Sequence, residues 1–422
     1  MSNPVAIVDI EVAGQMHRVG RLWVTASRSH ESATFEYDSA WLKNPDRFAL
    51  EPALALYAGP FQTRVGHAMF GALGDSAPDR WGRTLIARAE RRRADAERRR
   101  PRALRELDYL LAVNDEVRQG ALRFALAEDG PYVAQAIGAH SVPPLVDLPR
   151  LLNATDAVLD DDESAEDLRL LLDPGASLGG ARPKASVRDR DGLLMIAKFP
   201  AKTDDYNVVV WEGVALELAR RAGIVVPASR IERVSGREVL LVSRFDRKDR
   251  SRVPFLSAMS ALGANDREVH SYMEIADALR PYAAAAREDL AALWRRIVFN
   301  VLISNTDDHL RNHAFLYVGR DGWRLAPAYD INPVPTDIKP RLLSTSIAED
   351  PDLTASLDLA LEVADHFGLK PDDARAIVAD VHRGVRDWRS VASLFGLKRS
   401  EVERMSTAFE HRDADLAASI VS

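Results

Sequence analysis

Asp307 and Asn312 stand five residues apart in Asn305-Thr-Asp-Asp-His-Leu-Arg-Asn312, and a further acid follows 23 residues after Asp307, in Ala328-Tyr-Asp330. A carboxylate, an amide and a second carboxylate in that order suit phosphoryl transfer. Asp307 would take the proton of an acceptor hydroxyl, while Asn312 and Asp330 would hold Mg²⁺, which favours few protein oxygens alongside substrate phosphates. The reaction asks the protein for placed charge more than for covalent chemistry, so acids and amides at fixed offsets are its mark. The competing reading is a set of capping and turn acids. A zinc site at His309, Asn312 and His313 is a poor fit, because asparagine is a rare zinc ligand and further donors are missing. His309 reads as a packed, hydrogen-bonding loop residue.

Three further segments could serve a nucleotide. Residues 173–184, Asp-Pro-Gly-Ala-Ser177-Leu-Gly179-Gly180-Ala-Arg-Pro-Lys184, are dense in small side chains. Glycines let backbone N–H groups approach a phosphate. The loop matches neither familiar phosphate-binding pattern, and a plain linker would look the same. Lys198 closes a predicted strand in Met195-Ile-Ala-Lys-Phe-Pro200, where it could reach phosphate oxygens if Glu212 on the next helix oriented it. The plainer alternative is a surface lysine and a surface glutamate. Ser243-Arg-Phe245-Asp246-Arg follows an apolar strand and could form a hinge whose backbone pairs with adenine, with Asp246 on the ribose. The same residues could form a salt-bridging turn at a strand end.

The chain around these segments has 422 residues, enough for two or three lobes. Apolar residues make up 46% and charged ones 28%, an ordinary globular balance. A net charge of −7 argues against a generic nucleic-acid binder. The absence of cysteine excludes disulfides and thiolate metal sites and fits a cytoplasmic location. No apolar run approaches the ~20 residues that span a bilayer, and the N-terminus lacks the features of a signal peptide. The arginine-rich run 88–105 has two readings, a surface for nucleic acid or a solvated helix with internal ion pairs. Its interspersed acids Glu90, Asp95 and Glu97 favour the second.

Alternation predicts strands over 4–12, 17–26 and 34–37. A helix is expected over 83–111, broken at Pro101. The Asp191-Gly192 pair predicts a hairpin of 185–188 with 193–199. A helix over 205–222 precedes strands over 224–231 and 238–245. Helices dominate after 256, apart from a short hairpin of 314–317 with 323–327. The expected fold is α+β: a two-lobed, protein-kinase-like core with an extra N-terminal α+β subdomain and a helical C-terminal lobe. The boundaries expected are 1–145 for the N-terminal subdomain, 146–250 for the lobe with phosphate loop and hinge, and 251–422 for the helical lobe.

Taken in order, these motifs resemble the HipA family, the serine/threonine kinase toxins of bacterial toxin–antitoxin pairs. The resemblance rests on Asp75-Ser-Ala-Pro-Asp-Arg-Trp-Gly82, Gly120-Ala-Leu-Arg-Phe124, Ser177-Leu-Gly-Gly-Ala-Arg-Pro-Lys184, Ala197-Lys-Phe-Pro200, Ser243-Arg-Phe-Asp-Arg247, the Asn305–Asn312 stretch and Tyr329-Asp330. It implies ATP and Mg²⁺, Asp307 as base, and Asn312 and Asp330 on the metal. The implied nucleotide contacts are Ser177, Gly179, Gly180, Lys184, Lys198, Glu212, Ser243, Phe245, Asp246 and His309. It implies autophosphorylation at Ser177 that switches the kinase off, and an aminoacyl-tRNA synthetase as the protein substrate, whose modification stalls translation and favours persistence. The implied partner is a small helix-turn-helix antitoxin that carries the pair to operator DNA. No membrane contact is implied. Departures are Arg182-Pro183 in the loop, Ser243 where an acid is common, and the doubled acid Asp307-Asp308, where spacing to Asn312 favours Asp307. A small-molecule kinase of related fold, and a non-catalytic nucleotide-binding scaffold acting through an antitoxin and DNA, remain as alternatives.

Overall fold

The structure is a computed structural model, and it describes residues 6–26, 31–133, 142–172, 182–266, 268–349 and 352–421. Two compact units make up the chain. The first comprises Met1–Lys202, Arg233–Arg237 and Leu241–Leu256, and the second Thr203–Glu232, Glu238–Leu240 and Ser257–Ser422.

In the first unit, β1 (Ala6–Val12), β2 (Gln15–Ala26), β3 (Glu31–Tyr37), β4 (Pro60–Gln62) and β5 (Leu122–Ala125) form an antiparallel sheet in the order β4-β3-β2-β1-β5. Ala13 and Gly14, both at positive φ, make the tight turn between β1 and β2. The buried residues Ile7, Leu22, Phe35 and Phe124 carry its core. The helix Arg80–Ala96 begins earlier than its composition suggests, because the Asp79 carboxylate accepts the Gly82 N–H at 2.7 Å and caps it. It also ends earlier, at Ala96, five residues before Pro101, and Arg98 then turns the chain away at a φ of 51°. A separate helix, Glu106–Ala112, follows.

In the arginine run, Arg88, Arg92, Arg99 and Arg102 make ion pairs. Arg88 reaches Asp161 and Glu163, while Arg99 binds Glu90 and Glu97. The acids inside and beside the run thus serve as its partners, as the solvated-helix reading expects.

Strands β6 (Lys184–Arg188) and β7 (Leu194–Lys198) form the expected hairpin, with Gly192 at φ 78° in its turn. With β8 (Ser229–Val234) and β9 (Arg237–Ser243) they build a four-stranded sheet, ordered β6-β7-β9-β8. Strand β8 starts five residues later than expected. Val225 is exposed, and its carbonyl accepts the Ala328 N–H at 2.8 Å instead of a sheet neighbour.

The second unit is mainly helical. The helix Val208–Arg221 packs so closely on Pro371–Val385 that a Cβ on Gly384 would lie 2.5 Å from the Ala222 nitrogen. Trp211, Trp388 and Phe409 cluster beside it, the last two stacked at 4.4 Å. At the centre lies the helix Ala286–Ile303, with Leu293, Trp294, Ile297, Val298, Phe299 and Val301 through Ile303 all buried. Ala314–Tyr317 and Trp323–Leu325 form the expected hairpin. The C-terminal hundred residues are less helical than expected, because the loops 326–349 and 352–356 carry no helix, and Arg341 and Val334 bond the end of the central helix.

One tie in those loops sets a pH limit. Arg341 bonds Ser304 Oγ (3.0 Å), the Val301 carbonyl (3.0 Å) and Asp413 (2.7 Å). Beside them, His411 is held neutral, chiefly by burial and then by the Arg341 charge, with its pKa down to about 4 from 6.5. The unfolded chain therefore takes up this proton first. The stability it withholds is intact above about pH 6.5 and is lost as pH falls towards 4, up to about 3 kcal/mol. Denaturant titrations at pH 7 and pH 4.5 are expected to show that loss, and a His411→Gln variant to flatten it.

Candidate active site

The central helix ends at Ser304, whose φ of 52° turns the chain sharply into the loop 305–312. The loop is held from several sides. The Thr306 carbonyl accepts Lys339 Nζ (3.2 Å) and Ser344 Oγ (3.0 Å). The Asp307 carbonyl accepts the His309 N–H (3.0 Å) and Asn312 Nδ2 (3.2 Å). Leu310–Asn312 then close a single 3₁₀ turn.

The two neighbouring acids have different surroundings. Asp308 is buried, and its Oδ2 accepts Tyr272 Oη (2.5 Å), Asn300 Nδ2 (2.7 Å) and His313 Nε2 (2.8 Å). Burial opposes its charge, but His313 and the Tyr272 hydroxyl outweigh that, and its pKa lies below the ordinary value. Asp307 is exposed at the tip of the same loop. A base has to reach an external hydroxyl, which Asp307 can do and Asp308 cannot.

Asp330 is brought to this loop by ties on either side of it. Tyr329 Oη donates to the Arg311 carbonyl at 2.6 Å, and the Asn332 N–H donates to Asn305 Oδ1 at 3.2 Å. Asp330 itself sits in the left-handed region, at φ 57°. Asn312 spends its Nδ2 on the Asp307 carbonyl, which turns its Oδ1 the other way. One amide oxygen and one carboxylate suit Mg²⁺ accompanied by phosphates. Among the described residues no group of three or more His, Asp or Glu side chains is arranged to hold a metal. His309 is half-buried, and its Nδ1 is enclosed without a protein partner.

The other expected residues are distributed as follows. Ser177, Gly179 and Gly180 lie outside the described residues. Lys184 is buried, and its Nζ bonds Asp79 at 2.7 Å. Lys198 is half-buried and pairs with Lys184 across β6 and β7, which puts both side chains on one sheet face. Glu212 is buried in the helix Val208–Arg221 of the second unit. Ser243 ends β9, and the Phe245 ring lies 6.5 Å from that of Phe255.

Asp246 is bonded within the protein. Its Oδ1 accepts Arg244 Nε (2.6 Å), and its Oδ2 accepts Arg244 Nη2 (2.5 Å), Arg247 Nη1 (2.8 Å) and the Gly120 N–H (2.8 Å). It is only 3% exposed. Burial alone would raise its pKa, but the two guanidiniums and the Gly120 N–H hold it well below the carboxylate range. These four donors on a buried carboxylate form the salt-bridging turn that was the other reading of this segment. Gly120 makes the approach possible: its φ is 72°, and a Cβ there would meet Phe255 at 3.1 Å.

A family model described as the HipA-like C-terminal domain matches residues 176–388, half of the chain. The chain belongs to the HipA family. A second model, the HipA N-terminal domain, matches residues 10–123. A protein of Sinorhizobium fredii named "Putative kinase Y4mE" is 25% identical over 332 residues, which cover 72% of each chain. A Haemophilus influenzae protein named "Putative kinase" is 26% identical over 199 residues, 40% of this chain and 57% of its own. Among solved structures, the HipA of Shewanella oneidensis MR-1, a toxin–antitoxin protein determined with HipB and its operator DNA, matches with a TM-score of 0.63. The match covers 98% of this chain and 96% of that one at 15% identity. The α+β, kinase-like fold expected from the motifs is the HipA fold. No helix among the described residues is long and apolar enough to cross a membrane.

The motifs did not include Asn300 and Tyr272, which hold the 305–312 loop through Asp308. Asn300 carried a visible signal: it is the one polar residue in the apolar run Ile297–Ile303, and a buried amide there needs partners.

Proposed function

We propose that this HipA-family chain is an ATP- and Mg²⁺-dependent protein serine/threonine kinase acting as a toxin. The observation that carries the reading is the exposed Asp307 on a loop pinned at both neighbours, with Asn312 and the tethered Asp330 beside it. Asp307 accepts the proton of the acceptor hydroxyl at its carboxylate. Asn312 Oδ1 and the Asp330 carboxylate hold Mg²⁺, and Lys198 holds nucleotide phosphates. When bound, Mg²⁺ neutralises charge on the transferred phosphate. The names of the kinase relatives support the activity.

On the same reading, Ser177 is the autophosphorylation site. A phosphate there adds close to two negative charges, which repel a triphosphate. The protein substrate is an aminoacyl-tRNA synthetase, and the partner is a helix-turn-helix antitoxin that brings the pair to operator DNA, in the cytoplasm. The pairing of the Shewanella protein with HipB and DNA supports that partner. Incubating the purified chain with labelled ATP and Mg²⁺ is expected to place phosphate on the peptide 173–184. Removal of Mg²⁺ by a chelator, or Asp330→Ala, is expected to abolish the label. An unlabelled wild-type chain, alone and with candidate synthetases, would overturn the reading.

A further inference from the structure

A chain of buried amides joins the two halves of the site. The Asn332 N–H donates to Asn305 Oδ1 (3.2 Å), Asn305 Nδ2 donates to Asn300 Oδ1 (3.0 Å), and Asn300 Nδ2 donates to Asp308 Oδ2 (2.7 Å). Asn300 is 4% exposed, Asn305 1% and Asp308 4%. At one end, Asp308 is the backbone neighbour of the proposed base, Asp307. At the other, Asn332 lies two residues from the proposed metal acid, Asp330.

All three bonds point the same way and end on a carboxylate whose charge is kept. Hydrogen bonds in such a series polarise one another, and in a buried setting each broken link leaves an unpaired polar group. The ends are also fixed to separate elements. Tyr272, from the helix Tyr272–Leu279, and His313 secure the Asp308 end, and Thr345 Oγ1 binds its carbonyl at 2.7 Å. The Asn332 end is flanked by the Val334 N–H on the Ser304 carbonyl (3.2 Å). Asn300 lies in the last turn of the central helix, where every residue from Arg296 to Ile303 is buried. It is therefore a fixed post against which both segments are measured.

We propose that Asn300 is a positioning residue that sets the separation of Asp307 from Asp330 through Asn305 and Asp308. The proposal rests on the kinase reading above. It touches no substrate and acts only through the loops it holds. Misplacing a catalytic group by about 1 Å costs on the order of 100-fold in rate, so the effect falls on turnover and spares binding.

The test compares the full-length wild type with Asn300→Ala, Asn305→Ala and the double variant, by labelled-ATP incorporation and by titration with a fluorescent ATP analogue. Each single variant is expected to lose about 10- to 100-fold in kcat, with the KM for ATP and the analogue's Kd moving less than about threefold. Because the links act as one unit, the double variant is expected to be about as slow as the slower single one. Losses that multiply, a KM that rises in step with falling kcat, or single variants within about twofold of wild type would overturn the proposal. Asn305→Ala, a loop change, answers the question even if Asn300→Ala fails to fold. A wild type without activity would refute the kinase reading alone. In that case amide hydrogen exchange decides: Asn300→Ala must raise exchange in both 306–309 and 330–334, and a rise in one segment or in neither overturns the inference.

Discussion

Asp307→Ala is expected to lower phosphoryl transfer about 10²- to 10⁴-fold, the range a positioned general base supplies. Nucleotide affinity is expected to stay within about threefold, because the Asp307 contribution to the loop's structure is its backbone. Its carbonyl carries the bonds from His309 and Asn312, and alanine keeps that carbonyl. The measurement is labelled-ATP incorporation under single-turnover conditions, paired with analogue binding. The neighbouring acid gives the contrast. Asp308→Ala leaves Tyr272, Asn300 and His313 without their shared acceptor, so it damages the loop as well as the rate. If Asp307→Ala retains full activity, another group takes the proton and the assignment of the base fails.

Asp246→Ala is expected to lower folding stability by about 3–5 kcal/mol, the usual cost of leaving buried charges unpaired. Two guanidiniums, of Arg244 and Arg247, would then face a dry interior. They also bind the carbonyls of residues 116–120: Arg244 reaches Val117 at 2.9 Å, and Arg247 reaches Arg118 at 2.7 Å. A shift in the urea midpoint at unchanged slope would report this loss. The sign with pH follows from the depressed pKa. The stabilisation is present above the ordinary aspartate range and is lost as pH falls through it towards the folded value. A variant with wild-type stability and weakened ATP binding would instead restore the ribose reading.

These two acids show what a sequence reveals and what it hides. Asp307 stood out by its offset from Asn312, and the structure places it exposed on the loop whose 3₁₀ turn ends at Asn312. The 184–198 hairpin was legible because Asp191-Gly192 meets a local backbone demand. Asp246 was not, because its role depends on Gly120, 126 residues earlier. No local pattern separates a ribose acid from one clasped by its own arginines. The early start of the helix at Arg80 depended on Asp79 serving as a cap, and the late start of β8 on a carbonyl bond from Val225 to Ala328. Asn300 was visible as a lone amide in an apolar run, but its partners, Asp308 and Asn305, lie in the loop beyond the helix, and a helix read as an anchor does not name them.

Asp330 occupies a backbone conformation that glycine adopts freely and other residues enter at a cost of about 1–2 kcal/mol. A loop selected for durability alone would carry glycine there. The chain instead keeps an acid under tension at the spot where a cation's charge would be met. Stability screens that reward relaxed backbones would therefore favour removing this residue, and they would yield hardier molecules that have lost their trade.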